Sequence, residues 1–170
     1  MMTAERPSLA DDVPDRVRVG VAELAVAAGE TLLTTSGLGS CVGVAVADPT
    51  AGVAGLAHVM LPEETGDDRG KPAKSAAVGV ERLLAELEAA GGDPERTEAK
   101  LAGGSKMFDF SGVSEGVGER NVEQTRATLA DRDVPVVAED VGGDYGRSVE
   151  LTPETWTVTV TSTHEGVEEL

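Results

Sequence analysis

Apolar residues alternate with polar or small ones in short runs along most of this chain, and the spacing lengthens to three and four residues in two segments. The alternation predicts strands at Val17–Val21, Thr31–Thr35, Cys41–Ala47, Val53–Met60, Thr97–Ala102, Val134–Val141, Arg147–Leu151 and Thr155–Ser162. The longer period predicts a helix over residues 75–90, where Ala76, Val80, Leu83, Leu84 and Leu87 share a face and Gly91-Gly92 ends the run. A second helix is expected at Val117–Leu129, with Val122, Thr125 and Leu129 facing inward. Strands in runs, two helices set apart and no sustained βαβ alternation indicate an α+β fold. One domain is expected over residues 16–162, between a mobile N-terminal tail at 1–15, which carries Pro7 and Pro14, and a C-terminal tail at 163–170.

The run Cys41-Val42-Gly43-Val44-Ala45-Val46-Ala47 puts three valines on one face and only Cys, Gly and Ala on the other. The next run contains His58, and Asp48-Pro49-Thr50-Ala51 between them is turn-forming, so the two runs should make an antiparallel hairpin. With those four residues as the loop, Cys41 stands opposite His58, Gly43 opposite Leu56 and Val44 opposite Gly55. Directly opposed Cβ atoms lie about 4.5–5.5 Å apart, close enough for a thiol and an imidazole to meet. A neighbouring imidazole can take the thiol proton or hold the sulfur as a reactive thiolate. Cys41 is the one cysteine and His58 one of two histidines, too small a set for a closed zinc site of four N/S ligands. Cys41 is therefore either a small packed hydrophobe or a nucleophile.

Charge narrows the partners. Lys and Arg number 14 and Asp and Glu 31, a formal net charge of −17, which opposes binding to nucleic acid or anionic membrane, since both are held through Lys and Arg. No apolar run is long enough to span a bilayer, and a lone thiol suits a reducing compartment, so a cytoplasmic protein is expected, without membrane insertion. The acidic excess also fits a high-salt cytoplasm: at molar salt the Debye length falls to about 3 Å, so crowded carboxylates scarcely repel while still holding water.

Thr34-Thr35-Ser36-Gly37-Leu38-Gly39-Ser40-Cys41-Val42 and Gly55-Leu56-Ala57-His58-Val59-Met60-Leu61-Pro62 resemble the CheD family of chemoreceptor glutamine deamidases. The resemblance continues in order through Leu101–Phe108, Gly118-Glu119-Arg120-Asn121, Ala138–Gly143 and Gly146–Val149. It implies two packed β-sheets flanked by helices, similar to the catalytic domain of glutamine-deamidating necrotising toxins. It implies Cys41 as nucleophile, His58 as general base and Thr35 as the group that orients the histidine. It further implies chemoreceptor cytoplasmic helices as substrate, a CheC-type phosphatase as partner, and an adaptor role as the competing reading. Amidase action on a small metabolite is set aside by the resemblance alone. The chain departs from the family at Lys74-Ser75-Ala76-Ala77, where an aromatic residue and a carboxylate are expected at the site's rim.

The chemistry itself needs no metal or organic cofactor. Main-chain N–H groups of the Gly39-Ser40-Cys41 turn are candidate oxyanion donors, and the same machinery could hydrolyse a glutamate methyl ester. Gly37-x-Gly39-x-x-x-Gly43 precedes a strand rather than a helix, and Gly103-Gly104-Ser105-Lys106-Met107 lacks the ending of a phosphate loop, so both read as turns. Pro62–Pro72 reads as a loop, either a flap over the site or a plain connection. Asp140 and Arg147 read as a structural pair, Met107-Phe108 as core and His164 as a solvated side chain.

Overall fold

The computed structural model describes residues 15–64, 66, 70–106 and 116–170. Residues 1–14 of the expected tail, part of the Pro62–Pro72 loop and Met107-Phe108 lie outside the described residues. The chain runs β1 (Arg16–Arg18), β2 (Leu24–Ala28), β3 (Leu32–Leu38), β4 (Val42–Asp48), β5 (Val53–Val59), α1 (Ala76–Ala89), β6 (Glu98–Gly103), α2 (Val117–Asp131), β7 (Val136–Val141), β8 (Arg147–Thr152), β9 (Thr157–Ser162) and β10 (Gly166–Glu169). One sheet has the order β1-β3-β8-β9-β10 and the other β2-β5-β4-β6-β7. The β1–β3 and β6–β7 pairs are parallel and the rest antiparallel. This is the expected α+β fold, two packed sheets with two helices.

The layering follows from the two faces of β4 and β5, both buried along their whole length. Val42, Val44 and Val46 join Ala57, Val59, Leu83, Leu87 and Leu129 in the core between the second sheet and the helices. Ala45, Ala47, Ala54 and Leu56 pack with Leu33, Leu38, Val149, Leu151 and Val158 between the two sheets. The small residues on that second face let the sheets approach closely. Strand β8 alternates buried and more exposed positions, so the first sheet turns one face to the core and the other outward.

Helix α1 begins where Ser75 caps it, its hydroxyl accepting from the Val78 N–H at 3.2 Å. It ends in a Schellman arrangement, with the Gly91 N–H on Glu88 O, the Gly92 N–H on Leu87 O, and Gly91 at φ 107°. Two strands were not foreseen. Strand β2, Leu-Ala-Val-Ala-Ala, is alanine-rich and carries little β-propensity, yet pairs along its length with β5. Strand β10 lies within the segment expected as a C-terminal tail and pairs antiparallel with β9. The strand expected over Val17–Val21 is cut to Arg16–Arg18, because the chain turns at Val21-Ala22, with Ala22 at φ 67°.

Candidate active site

The hairpin register differs from the expected one by one residue on each strand. Asp48 pairs with Val53, so Pro49-Thr50-Ala51-Gly52 form the loop, and Gly43 rather than Cys41 stands opposite His58. The cause is Asp48, whose carboxylate accepts from the Thr50 N–H at 3.0 Å and the Ala51 N–H at 3.3 Å. Gly52 closes the turn at φ 72°, its N–H on Asp48 O. A shift of one residue on each strand preserves the faces, so Cys41 and His58 remain on the same face, now as diagonal neighbours with Cα atoms about 7–8 Å apart. Cys41 precedes the first residue of β4 and is half-buried, whereas His58 is fully buried.

Glycine at position 43 leaves a gap opposite His58, and Leu38 fills it. A Cβ on Gly43 would meet Leu38 Cδ1 at 3.1 Å. Leu38 reaches this position because β3 bulges between Thr35 and Leu38, with Gly37 at φ 75°. The bulge also starts the turn that delivers Cys41 to the sheet.

Thr35, on the first sheet, reaches across to His58 on the second. Its Oγ1 lies 2.8 Å from His58 Nδ1 and donates to Val19 O at 2.7 Å. A hydroxyl has one proton, so with that proton on Val19 O the Thr35 oxygen can only accept from His58. This fixes the Nδ1–H tautomer and leaves the lone pair on Nε2. Nε2 is buried and has no hydrogen-bond partner among the described residues. Burial lowers the His58 pKa to about 4, and burial raises that of the Cys41 thiol above its ordinary range. Both shifts favour the uncharged forms, a neutral imidazole at His58 and a neutral thiol at Cys41.

The turn before Cys41 is held by three donors. Ser105 N–H donates to Gly39 O at 2.8 Å and Gly104 N–H to Cys41 O at 2.8 Å. The Asn121 side chain, from α2, donates to Ser40 O at 2.8 Å. Gly39 N–H, a candidate oxyanion donor, is itself engaged with Gly37 O at 3.1 Å and is not free. The Ser40 and Cys41 N–H groups have no main-chain acceptor among the described residues. Gly103, at φ 111°, must be glycine, because a Cβ there would lie 2.4 Å from Cys41 O.

The remaining residues singled out in the sequence fall into place around this centre. The fully buried Arg147 side chain grips Asp140 through two bonds of 3.2 Å, donates to Gly103 O at 3.5 Å and lies over the Tyr145 ring. That is the structural pair expected, and it ties β8 to β7 and to the end of β6 beside Cys41. His164 is exposed and stacks on Tyr145, with ring centroids 4.6 Å apart. Ser75, where the family resemblance calls for an aromatic residue, is the α1 cap. Asn121 has no role among the sequence expectations, although it stands in one of the motifs that carry the resemblance; its signal is a polar residue among Val122, Thr125 and Leu129 on a helix's buried face.

No helix among the described residues is long and apolar enough to cross a membrane. The family described as "CheD chemotactic sensory transduction" matches residues 60–162, a span that begins just after His58. A Haloarcula marismortui protein named "Probable chemoreceptor glutamine deamidase CheD" is 49% identical over 142 residues, covering 84% of this chain and 82% of its own. "Chemoreceptor glutamine deamidase CheD" of Halalkalibacterium halodurans is 40% identical, covering 92% of this chain and 99% of its own. A Natronomonas pharaonis protein, also named "Probable chemoreceptor glutamine deamidase CheD", is 40% identical, covering 89% and 91%. The haloarchaeal relatives agree with the halophilic character of the acidic composition. This chain belongs to the CheD family.

Proposed function

We propose that this protein hydrolyses the side-chain carboxamide of selected glutamines on the cytoplasmic helices of chemoreceptors, with Cys41 as nucleophile, His58 as general base and Thr35 holding the imidazole, and so supports chemotactic adaptation. The observation that carries the proposal is the Thr35–His58 hydrogen bond, which leaves the Nε2 lone pair on the same face of the sheet as Cys41. The names of the relatives supply the substrate class.

In this mechanism His58 Nε2 takes the Cys41 proton as sulfur attacks the glutamine carboxamide carbon, giving a tetrahedral oxyanion. Main-chain N–H groups of Ser40 and Cys41 donate to that oxygen. The imidazolium returns its proton to the nitrogen, the C–N bond breaks and ammonia leaves a thioester. Water, deprotonated by Nε2, attacks the thioester, and its collapse releases glutamate and restores the thiol. Acid–base catalysis of this kind contributes roughly 10²–10⁴-fold. A pair that is neutral at rest charges only in the transition state, so the thiol need not be a thiolate beforehand. A glutamate methyl ester presents the same acyl carbon with methanol as leaving group, which makes methylesterase activity a secondary expectation. A CheC-type phosphatase is the expected partner.

Incubation with a receptor cytoplasmic fragment should raise the fragment's mass by about one dalton per modified glutamine, and Cys41→Ala should abolish the gain while the protein stays folded, since alanine suits that small-residue face. Deamidation by Cys41→Ala at the wild-type rate would refute the mechanism. Co-elution with a CheC-type protein together with deamidation by neither form would make the chain an adaptor.

A further inference from the structure

Asn121 sits in the second turn of α2, is fully buried, and uses one amide nitrogen for two main-chain carbonyls, Ser40 O at 2.8 Å and Met60 O at 2.9 Å. Ser40 immediately precedes Cys41, and Met60 follows the strand that carries His58. Asn121 thus joins the open end of the hairpin just where the proposed nucleophile leaves the sheet. Of the three successive carbonyls at Gly39, Ser40 and Cys41, the outer two are held by main-chain N–H groups and the middle one by this side chain.

The geometry has a chemical consequence. In a trans peptide the C=O and N–H bonds point in opposite directions, and no peptide bond among the described residues is cis. Fixing Ser40 C=O toward Asn121 therefore fixes the Cys41 N–H in the opposite direction, with no main-chain acceptor among the described residues. The helix carrying the clamp is itself seated on backbone. A Cβ on Gly118 would lie 2.3 Å from Ser105 O and 2.8 Å from Gly104 C, so α2 rests directly on the two residues that hold Gly39 O and Cys41 O.

We propose that Asn121 is a positioning residue for the deamidation: it sets the Ser40–Cys41 peptide plane so that the Cys41 N–H meets the oxyanion that forms when the thiol attacks. The proposal rests on the Cys41–His58 reading above. Its second support is the state of the amide itself. Asn121 Oδ1 is buried with no hydrogen-bond partner among the described residues, so the side chain is held by its donors alone. Asparagine is also a modest helix former. Both amide protons are spent on the two ends of the hairpin beside Cys41 and His58, so the direction of its donors, rather than helix propensity, accounts for the residue.

The test separates oxyanion stabilisation from thiol reactivity. Asn121→Ala and Asn121→Leu, which keeps the branching and the number of side-chain heavy atoms, are compared with wild type in kcat and KM on a receptor fragment, in Cys41 alkylation by iodoacetamide at the same pH, and in melting temperature in molar KCl. Alkylation displaces iodide and forms no oxyanion. The expected result is a fall in kcat of about 100-fold, with KM and the alkylation rate changed by less than about threefold. Equal falls in kcat and alkylation would mean that Asn121 only holds the fold, and an unchanged kcat that it orients nothing; either overturns the proposal. Failure of both variants to fold would also overturn it by making the residue structural. Cys41→Ala, measured alongside, reports on the parent mechanism independently, since its residual activity does not depend on position 121.

Discussion

Lowering the pH should cost this protein stability through His58 specifically. The folded chain holds this imidazole neutral down to about pH 4 because it is buried away from water, whereas the unfolded chain protonates it near the ordinary value of 6.5. Between those two values the unfolded state binds the extra proton, so stability falls as pH falls, and the contribution is fully present above about pH 6.5. A displacement from 6.5 to about 4, at 1.36 kcal/mol per pH unit, amounts to about 3 kcal/mol. The assay is urea unfolding in molar KCl of wild type and His58→Gln across pH 4–8. The two proteins share every other ionisable group, so the difference between the two stabilities isolates His58. That difference should shrink by about 3 kcal/mol from pH 7 to pH 4, while the acid limb of wild-type kcat/KM falls well below pH 6.5. A difference that stays flat over this range would show that position 58 is not a neutral buried base, and would remove the reason for placing a lone pair on Nε2.

Thr35→Val should cut kcat roughly 10–100-fold with little change in KM, because the imidazole loses the acceptor that fixes its tautomer; equal kcat values in steady-state deamidation would contradict this. Asp48→Asn should destabilise by about 1–2 kcal/mol in urea titrations. The Asp48 carboxyl, held at about 2 chiefly by the Arg96 hydrogen bond, contributes above its ordinary value of 3.8 and loses this as pH falls through 2. The Asp48→Asn deficit should therefore be constant from pH 5 to 8, where the His58→Gln difference slopes. Melting temperature should rise steeply from dilute buffer to molar KCl, since screening relieves repulsion within a chain of net charge −17, and an unchanged value would refute the salt adaptation.

What the sequence made legible depends on how locally each feature is determined. Helix α1 is set by residues within one turn of its ends, the Ser75 cap and the Gly91-Gly92 stop, and its bounds are read to within one residue. The faces of β4 and β5 are equally local, because alternation of valine with Gly and Ala decides them whatever the partner strand. Strand β2 is decided by its pairing with β5, a contact between residues about thirty apart, and an alanine-rich run announces nothing of it.

The candidate site shows the same division. That Cys41 and His58 share a face survives a misplaced turn, because moving the loop by one residue shifts the register by two and side-chain direction repeats every two residues. Which residue stands opposite His58 does not survive it, since the outcome turns on whether Asp48 ends the strand or opens the loop. The Asp48 carboxylate keeps it in the strand by accepting the turn's own N–H groups and, from outside the hairpin, Asp93 N–H and Arg96. Those last two partners lie beyond the first helix and are invisible to any reading of the hairpin alone. The placement of Gly43, and not Cys41, across from His58 is thus fixed partly by residues some forty-five positions away, which is why the chemistry could be read from two strands while its geometry required the fold.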